Sequence, residues 1–373
     1  FAKGFFRHYT FRNGIDNVIA LLHSLDIKKY ETVIVIPITV APCACQSMWD
    51  YIKTLPNHIQ KEYWTNLNVG IIYEENAGLI VKKMIEYKRF DRALDIIYHS
   101  SHKNIQFDTT IIEETIIGII KASDSNLFSR MQYELAKVVY LLDKREDANL
   151  QTLYSIEVLL YRLLEHHGNI NDTKFIKEIM SNPESLMEII DKTYLSSDEN
   201  ERAVEIEQVK NDNSYALLGW HIFYTLRQTP FVDSNNTIDE VALNNYIDQL
   251  QTLGNTKHKI KGVNTVIGEL LGNYPETEDY PSIPICDIIE RLNNKEVNNG
   301  FRTRLYNKRG VTVRPAYEGG TLEKNEANKY KKYADKIRYT HPIVCSIFDD
   351  LSGDYNRMAR TEDTKAKIEK MEF

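Results

Sequence analysis

The chain has 373 residues, 42% of them hydrophobic and 27% charged, with a formal net charge of −7. That length suits two or three ordinary domains or one continuous solenoid, and the composition is that of a globular protein, not a disordered one. The acidic total excludes a molecule that coats nucleic acid through its bulk charge.

Four cysteines, at 43, 45, 286 and 345, are too few and too scattered for a disulfide framework. Cys43-Ala44-Cys45 is one residue short of a zinc or thioredoxin spacing. Buried thiols in a reducing cytoplasm are therefore expected, with no metal and no cofactor. No apolar run reaches the length of a membrane span and no signal peptide is visible. The opening Phe1-Ala2-Lys3-Gly4-Phe5-Phe6 reads as the interior of a longer polypeptide, whose remaining domains are expected to hold any activity.

In chain order, only residues 31–40 look like a strand, and Pro37 in their middle suits a short helix or an extended connector equally well. Trp49, Trp64 and Trp220 lie in helical contexts and are expected as core anchors. Phe90, Ala93, Leu94, Ile97 and Tyr98 form a helical stripe. Ile111, Ile112, Thr115, Ile116, Ile119 and Ile120 form another, since their period is nearer 3.6 than 2 despite β-branched side chains. Leu135, Val138, Val139 and Leu142 follow. Residues 150–164 predict one helix buried on two sides, closed by Gly168 as a C-cap. A helix over 172–180 on an Asx or Thr cap comes next, and Pro183 opens another through Ile190.

Between Glu184 and Glu207 stand eight acids and two bases, and 196–213 is poor in large apolar residues, so it predicts an exposed acidic linker. Helices are expected near 214–227, 237–253, 263–271 and 285–298. Two more run through Ala327, Tyr330, Ala334 and Ile337, and through Val344, Phe348, Leu351 and Tyr355, with a frayed tail from Thr361. The expected fold is all-α: a helical-repeat array of antiparallel helices, an α-solenoid of the tetratricopeptide or HEAT kind. It divides into an N-terminal half, 1–195, the linker 196–213, and a C-terminal half, 214–373.

Residues 299–320 break the pattern as a long basic loop punctuated by Gly300, Gly310, Gly319 and Gly320. Arg302, Arg304, Lys308, Arg309 and Arg314 place five cations in thirteen residues with no acid between them. Residues 300–345 carry a net +7, so the remainder carries −14. Arginine forks and free N–H groups suit phosphate, and Phe301, Tyr306 and Tyr317 could stack on bases or guanidinium groups. The same residues also suit a clasp paired to acids of the same chain, or a surface for a protein partner. No Walker loop is present.

Two further groups are weaker. Arg162 and His167 match the R-x4-H spacing of HEPN-type ribonucleases, where arginine would stabilise phosphate and histidine would act on the 2′-hydroxyl. Leu163 stands where that pattern commonly has a polar residue, a two-residue pattern arises by chance in such a chain, and a helix C-terminus met by two histidines is the plainer reading. Asp95, His99 and His102 share a face if their helix runs that far, but Ser100-Ser101 favours solvated helix-end histidines over a metal site.

Leu55-Pro56, Glu62-Tyr63-Trp64, the stretch Gly300 to Gly320, and Tyr355, Ala359-Arg360 and Glu362-Asp363 together resemble the C-terminal helical region of long bacterial proteins, some of the multidomain defence type. The resemblance implies an accessory region that senses, scaffolds or assembles, and it brings no catalytic residue. The expected function is a non-enzymatic helical scaffold or protein-interaction region of a larger bacterial protein. The alternatives are a nucleic-acid or phosphate-binding module over 300–338, and a ribonuclease around Arg162 and His167. Partners are a protein or the rest of the parent chain, with nucleic acid or phosphate as a further ligand and no membrane.

Overall fold

A computed structural model describes residues 2–24, 46–67, 74–122, 125–310, 315 and 318–371. Among these the protein is all-helical, with twenty-one α-helices and no strand. The expected strand-like segment 31–40 and both Cys43 and Cys45 lie outside the described residues. Cys286 and Cys345 are free and buried. No described helix is long and apolar enough to cross a membrane.

The chain forms two compact units, Phe1–Phe175 and Ile176–Phe373. The first holds α1 (Ala2–Asn13), α2 (Ile15–Ser24), α3 (Gln46–Lys53), α4 (Asn57–Asn66), α5 (Glu74–Glu86), α6 (Phe90–Ser101), α7 (Thr109–Ala122), α8 (Ser125–Arg130), α9 (Gln132–Asp143), α10 (Leu150–Leu159) and α11 (Tyr161–His167). The division falls inside α12 (Lys174–Ser181). The second holds α13 (Pro183–Thr193), α14 (Glu199–Asn211), α15 (Ser214–Thr225), α16 (Glu240–Thr256), α17 (Ile260–Gly272), α18 (Ile283–Leu292), α19 (Lys295–Lys308), α20 (Thr321–Ile337) and α21 (Pro342–Met371).

The 3.6-residue stripes fill the first core. Ala93, Leu94, Ile97, Ile111, Ile112, Ile116, Leu135, Val138, Val139 and Leu142 are all buried. Period therefore outweighs the β-propensity of the isoleucines, because a helix buries this face and a strand would split it. Trp49 and Trp64 are core residues as expected. Arg89 donates to the carbonyls of Trp64 (3.0 Å) and Leu67 (2.6 Å), satisfying backbone groups at the end of α4.

The expected continuous helix over 150–164 is broken at Leu160 into α10 and α11, and Leu150 and Leu159 are half exposed. Gly168 ends α11 in an extended conformation, not the left-handed one. Its lack of a side chain serves packing: a Cβ there would stand 2.4 Å from the Tyr140 ring, whose hydroxyl donates to the Leu164 carbonyl at 2.9 Å. Two acceptors from other helices also meet the first amides of α12. Asp143 accepts from the Lys174 amide at 2.8 Å, and buried Glu157 accepts from the Phe175 amide at 2.8 Å. Both caps arrive from other helices.

The segment 196–213, expected as a linker, lies within the second unit and folds as α14, capped by Asp198. Helix α14 buries none of its own residues. It is held by charge. Lys259, only 2% exposed, donates to Glu205 (2.5 Å) and to the carbonyls of Tyr194 (2.6 Å) and Asp191 (3.1 Å). The expected helix 285–298 is divided by Asn293 in the left-handed region, φ 40°, after which Asn294 caps α19 through the amides of Glu296 and Val297. The tail expected to fray continues α21 to Met371, and its Asp363 accepts from the Gly320 amide at 2.9 Å.

Candidate functional site

The basic stretch is not a loop over its first half. Residues 299–308 complete α19, because Gly300 packs where a loop would have used it to turn. A Cβ on Gly300 would lie 2.1 Å from the Thr265 carbonyl oxygen, and one on Gly268 would lie 2.0 Å from that of Val297. Helices α17 and α19 thus meet backbone to backbone. The helix stops at Gly310, whose φ of +66° only glycine adopts without strain. Arg314 and Tyr317 lie outside the described residues.

The remaining candidates do not converge on one surface. Arg302 pairs with Asp354. Arg309 pairs with the buried Glu323 at 2.7 Å and lies over the Tyr355 ring. Arg304 is 2% exposed; its Nε donates to Asn273 Oδ1, its Nη1 donates to the Tyr224 carbonyl at 2.9 Å, and its Nη2 is buried with no acceptor. Lys308 donates to the Tyr274 carbonyl at 2.6 Å. Tyr306 is partly exposed, stacked on Tyr355.

Lys308 and Arg309 do share a cleft of about 700 Å³, with Arg227, Glu276, Glu326 and Lys329. Lys329 pairs with Glu326 (2.8 Å) and Glu276 (3.4 Å). Arg227, just beyond α15, donates to the Tyr224 carbonyl at 2.8 Å and lies against the Tyr224 ring. Among the described residues neither Arg227, Arg304 nor Lys308 has a carboxylate at ion-pair distance. Burial first, then the neighbouring Arg304, Lys329 and Arg227, push the Lys308 ammonium down to about 8 against the pull of Glu276.

Arg162 is exposed and His167 half-buried, with its ring against Tyr133 and its Nε2 without a partner. Five residues of helix separate them by about 140° around its axis, so α11 does not bring them together. Asp95 and His99 meet at 3.2 Å on α6, while His102 lies past the helix end against Tyr98. No group of three metal-binding side chains occurs among the described residues.

The residue that sequence reasoning misplaced, Trp220, and two that it passed over lie on α15. Leu217, Trp220 and Tyr224 are 52%, 53% and 60% exposed. Their i, i+3, i+7 spacing forms one ridge, and Trp220 is a surface residue instead of the expected core anchor. The opposite face, with Gly219, Ile222 and Phe223, supplies the burial. The signal was available: Ser214–Thr225 is apolar all round, more than one packed face consumes. Compared with known protein families, with curated proteins and with solved structures, the chain matches none of them.

Proposed function

We propose that the chain is a non-enzymatic helical scaffold region that binds a protein partner, with its helices arranged as a helical-repeat array of the tetratricopeptide or HEAT kind. Neighbour-to-neighbour packing supports the array: in the first unit α6 packs on α5, α7 and α9, and α9 packs on α7, α10 and α11.

The observation that carries the binding reading is the ridge of Leu217, Trp220 and Tyr224. Exposed tryptophan and tyrosine in a row, ending at Arg227, are the residue types that dominate interface energetics. A ridge of helical period fits the groove of a partner helix. The exposed Glu199 and Glu201 of the preceding helix favour lysine or arginine flanking that partner's apolar face. The partner is thus an amphipathic, basic-flanked helix of another protein or of the parent chain.

The test compares the chain with a Leu217→Asp/Trp220→Asp variant in pull-downs from source-cell extract. Candidate helical segments are then synthesised and titrated against both proteins by calorimetry. A segment bound by the parent and lost by the variant supports the reading. If every protein retained by the parent is retained equally by the variant, the ridge is not the interface.

Nucleic-acid binding across 300–338 draws less support, since Arg302 and Arg309 are engaged by acids and Arg304 is buried. The separation of Arg162 and His167 lends the ribonuclease reading none.

A further inference from the structure

The cleft at the end of α19 poses an electrostatic problem that the protein's own side chains leave unsolved. Of its four lining cations, Lys329 is neutralised by Glu276 and Glu326, and Arg309 by Glu323. Arg227 and Lys308 donate to main-chain carbonyls, and Arg227 also lies against the Tyr224 ring. Behind them Arg304, also without a carboxylate, is buried against Asn273, itself part of the cleft wall. Arg304 and Lys308 therefore lie together where solvent screening is reduced, with Arg227 at the exposed rim; Glu269 and Glu276 act on Arg304 and Lys308 without pairing to them, and a bound anion would offset the repulsion that is left.

We infer that this cleft binds a small phosphate-bearing molecule, held by Arg227 and Lys308 and backed by the field of Arg304. Phosphate matches the donors: guanidinium forks take two oxygens, and an ammonium acts as a point charge. A cleft of about 700 Å³ admits a ligand of nucleotide size. Glu276 and Glu326 on the wall are acceptors for hydroxyl or amino groups of the same molecule. A polymer is disfavoured because the cations do not extend as a track: Arg302 is drawn to Asp354 and Arg309 to Glu323.

The test is calorimetric titration of the full chain with inorganic pyrophosphate and, separately, with ADP, at constant ionic strength. Saturable 1:1 binding is expected, weakened about tenfold by Arg227→Gln and by Lys308→Gln, the loss of one charge-assisted contact each, and kept by Lys308→Arg. Tighter binding of ADP than of pyrophosphate identifies a nucleotide as the source of the phosphate; the reverse identifies the free anion. Arg227 is exposed and outside any helix, so its variant decides the matter even if a Lys308 variant misfolds. The inference is overturned if neither probe binds at millimolar concentration, if Arg227→Gln binds as the parent does, or if only a 5′-phosphorylated RNA oligonucleotide binds. Leu217→Asp should leave pyrophosphate binding intact, which separates this cleft from the α15 ridge.

Discussion

Gly300 of α19 sits against the Thr265 carbonyl of α17 so closely that a Cβ would come within 2.1 Å of the oxygen. Replacing a helical glycine by alanine usually stabilises by about 1 kcal/mol through chain entropy and propensity. Here the obstacle is backbone and cannot rotate away. Gly300→Ala is expected to destabilise the second unit by about 1–3 kcal/mol. Gly78, in α5 with nothing within 4 Å, is the contrast: Gly78→Ala should stabilise by about 0.4–1 kcal/mol. Urea titrations of both variants check the pair, and a Gly300→Ala protein as stable as the parent would contradict the close crossing.

Glu157 is buried near Asp143 at the start of α12, and burial first, then the neighbouring Asp143 carboxylate, raises its pKa to about 8. The ordinary value is 4.5, so the folded state holds this proton more tightly than the unfolded one. The stability it contributes is complete below pH 4.5 and falls progressively between 4.5 and 8. Glu157→Gln keeps an acceptor for the Phe175 amide and removes the titration. Its urea midpoint should vary less than the parent's over that range, and should equal or exceed it at pH 8.

Lys308 gives the proposed cleft a pH signature. Facing Arg227, Glu276, Arg304 and Lys329, it loses its proton near pH 8 in the folded protein, well below an ordinary lysine. Pyrophosphate affinity should fall between pH 7 and pH 9 in the parent. Lys308→Arg stays charged throughout and should show a flatter profile. Calorimetry at three pH values distinguishes the two, and identical profiles would remove Lys308 from the site.

Trp220 should be visible spectroscopically. With Trp49 and Trp64 buried, a red-shifted, iodide-quenchable fraction of the fluorescence is expected to belong to Trp220. Trp220→Phe should abolish that fraction while changing stability by no more than about 0.5 kcal/mol. An unchanged quenchable fraction would return Trp220 to the core.

Most of the helices were legible because burial of a face with a 3.6-residue period is a local rule. Leu135, Val138, Val139 and Leu142 announce their helix without reference to any other segment, and Pro183 announces the start of α13. The basic cluster was legible as charge, but its geometry was not. Glycines at 300 and 310 look alike in sequence, yet one fits under a neighbouring helix and the other ends its own in a left-handed turn.

By itself the sequence determined the helical class, the apolar stripes and the helix start at Pro183, since each depends on residues within a turn or two of one another. Tertiary structure decided which charges were answered and by what. Lys259 meets Glu205, Arg309 meets Glu323, and Asp143 and Glu157 cap a helix far from their own, while Arg227, Arg304 and Lys308 stand together with no carboxylate at ion-pair distance. Electrostatic energy depends on distance and burial in the folded unit, which spacing along the chain does not encode.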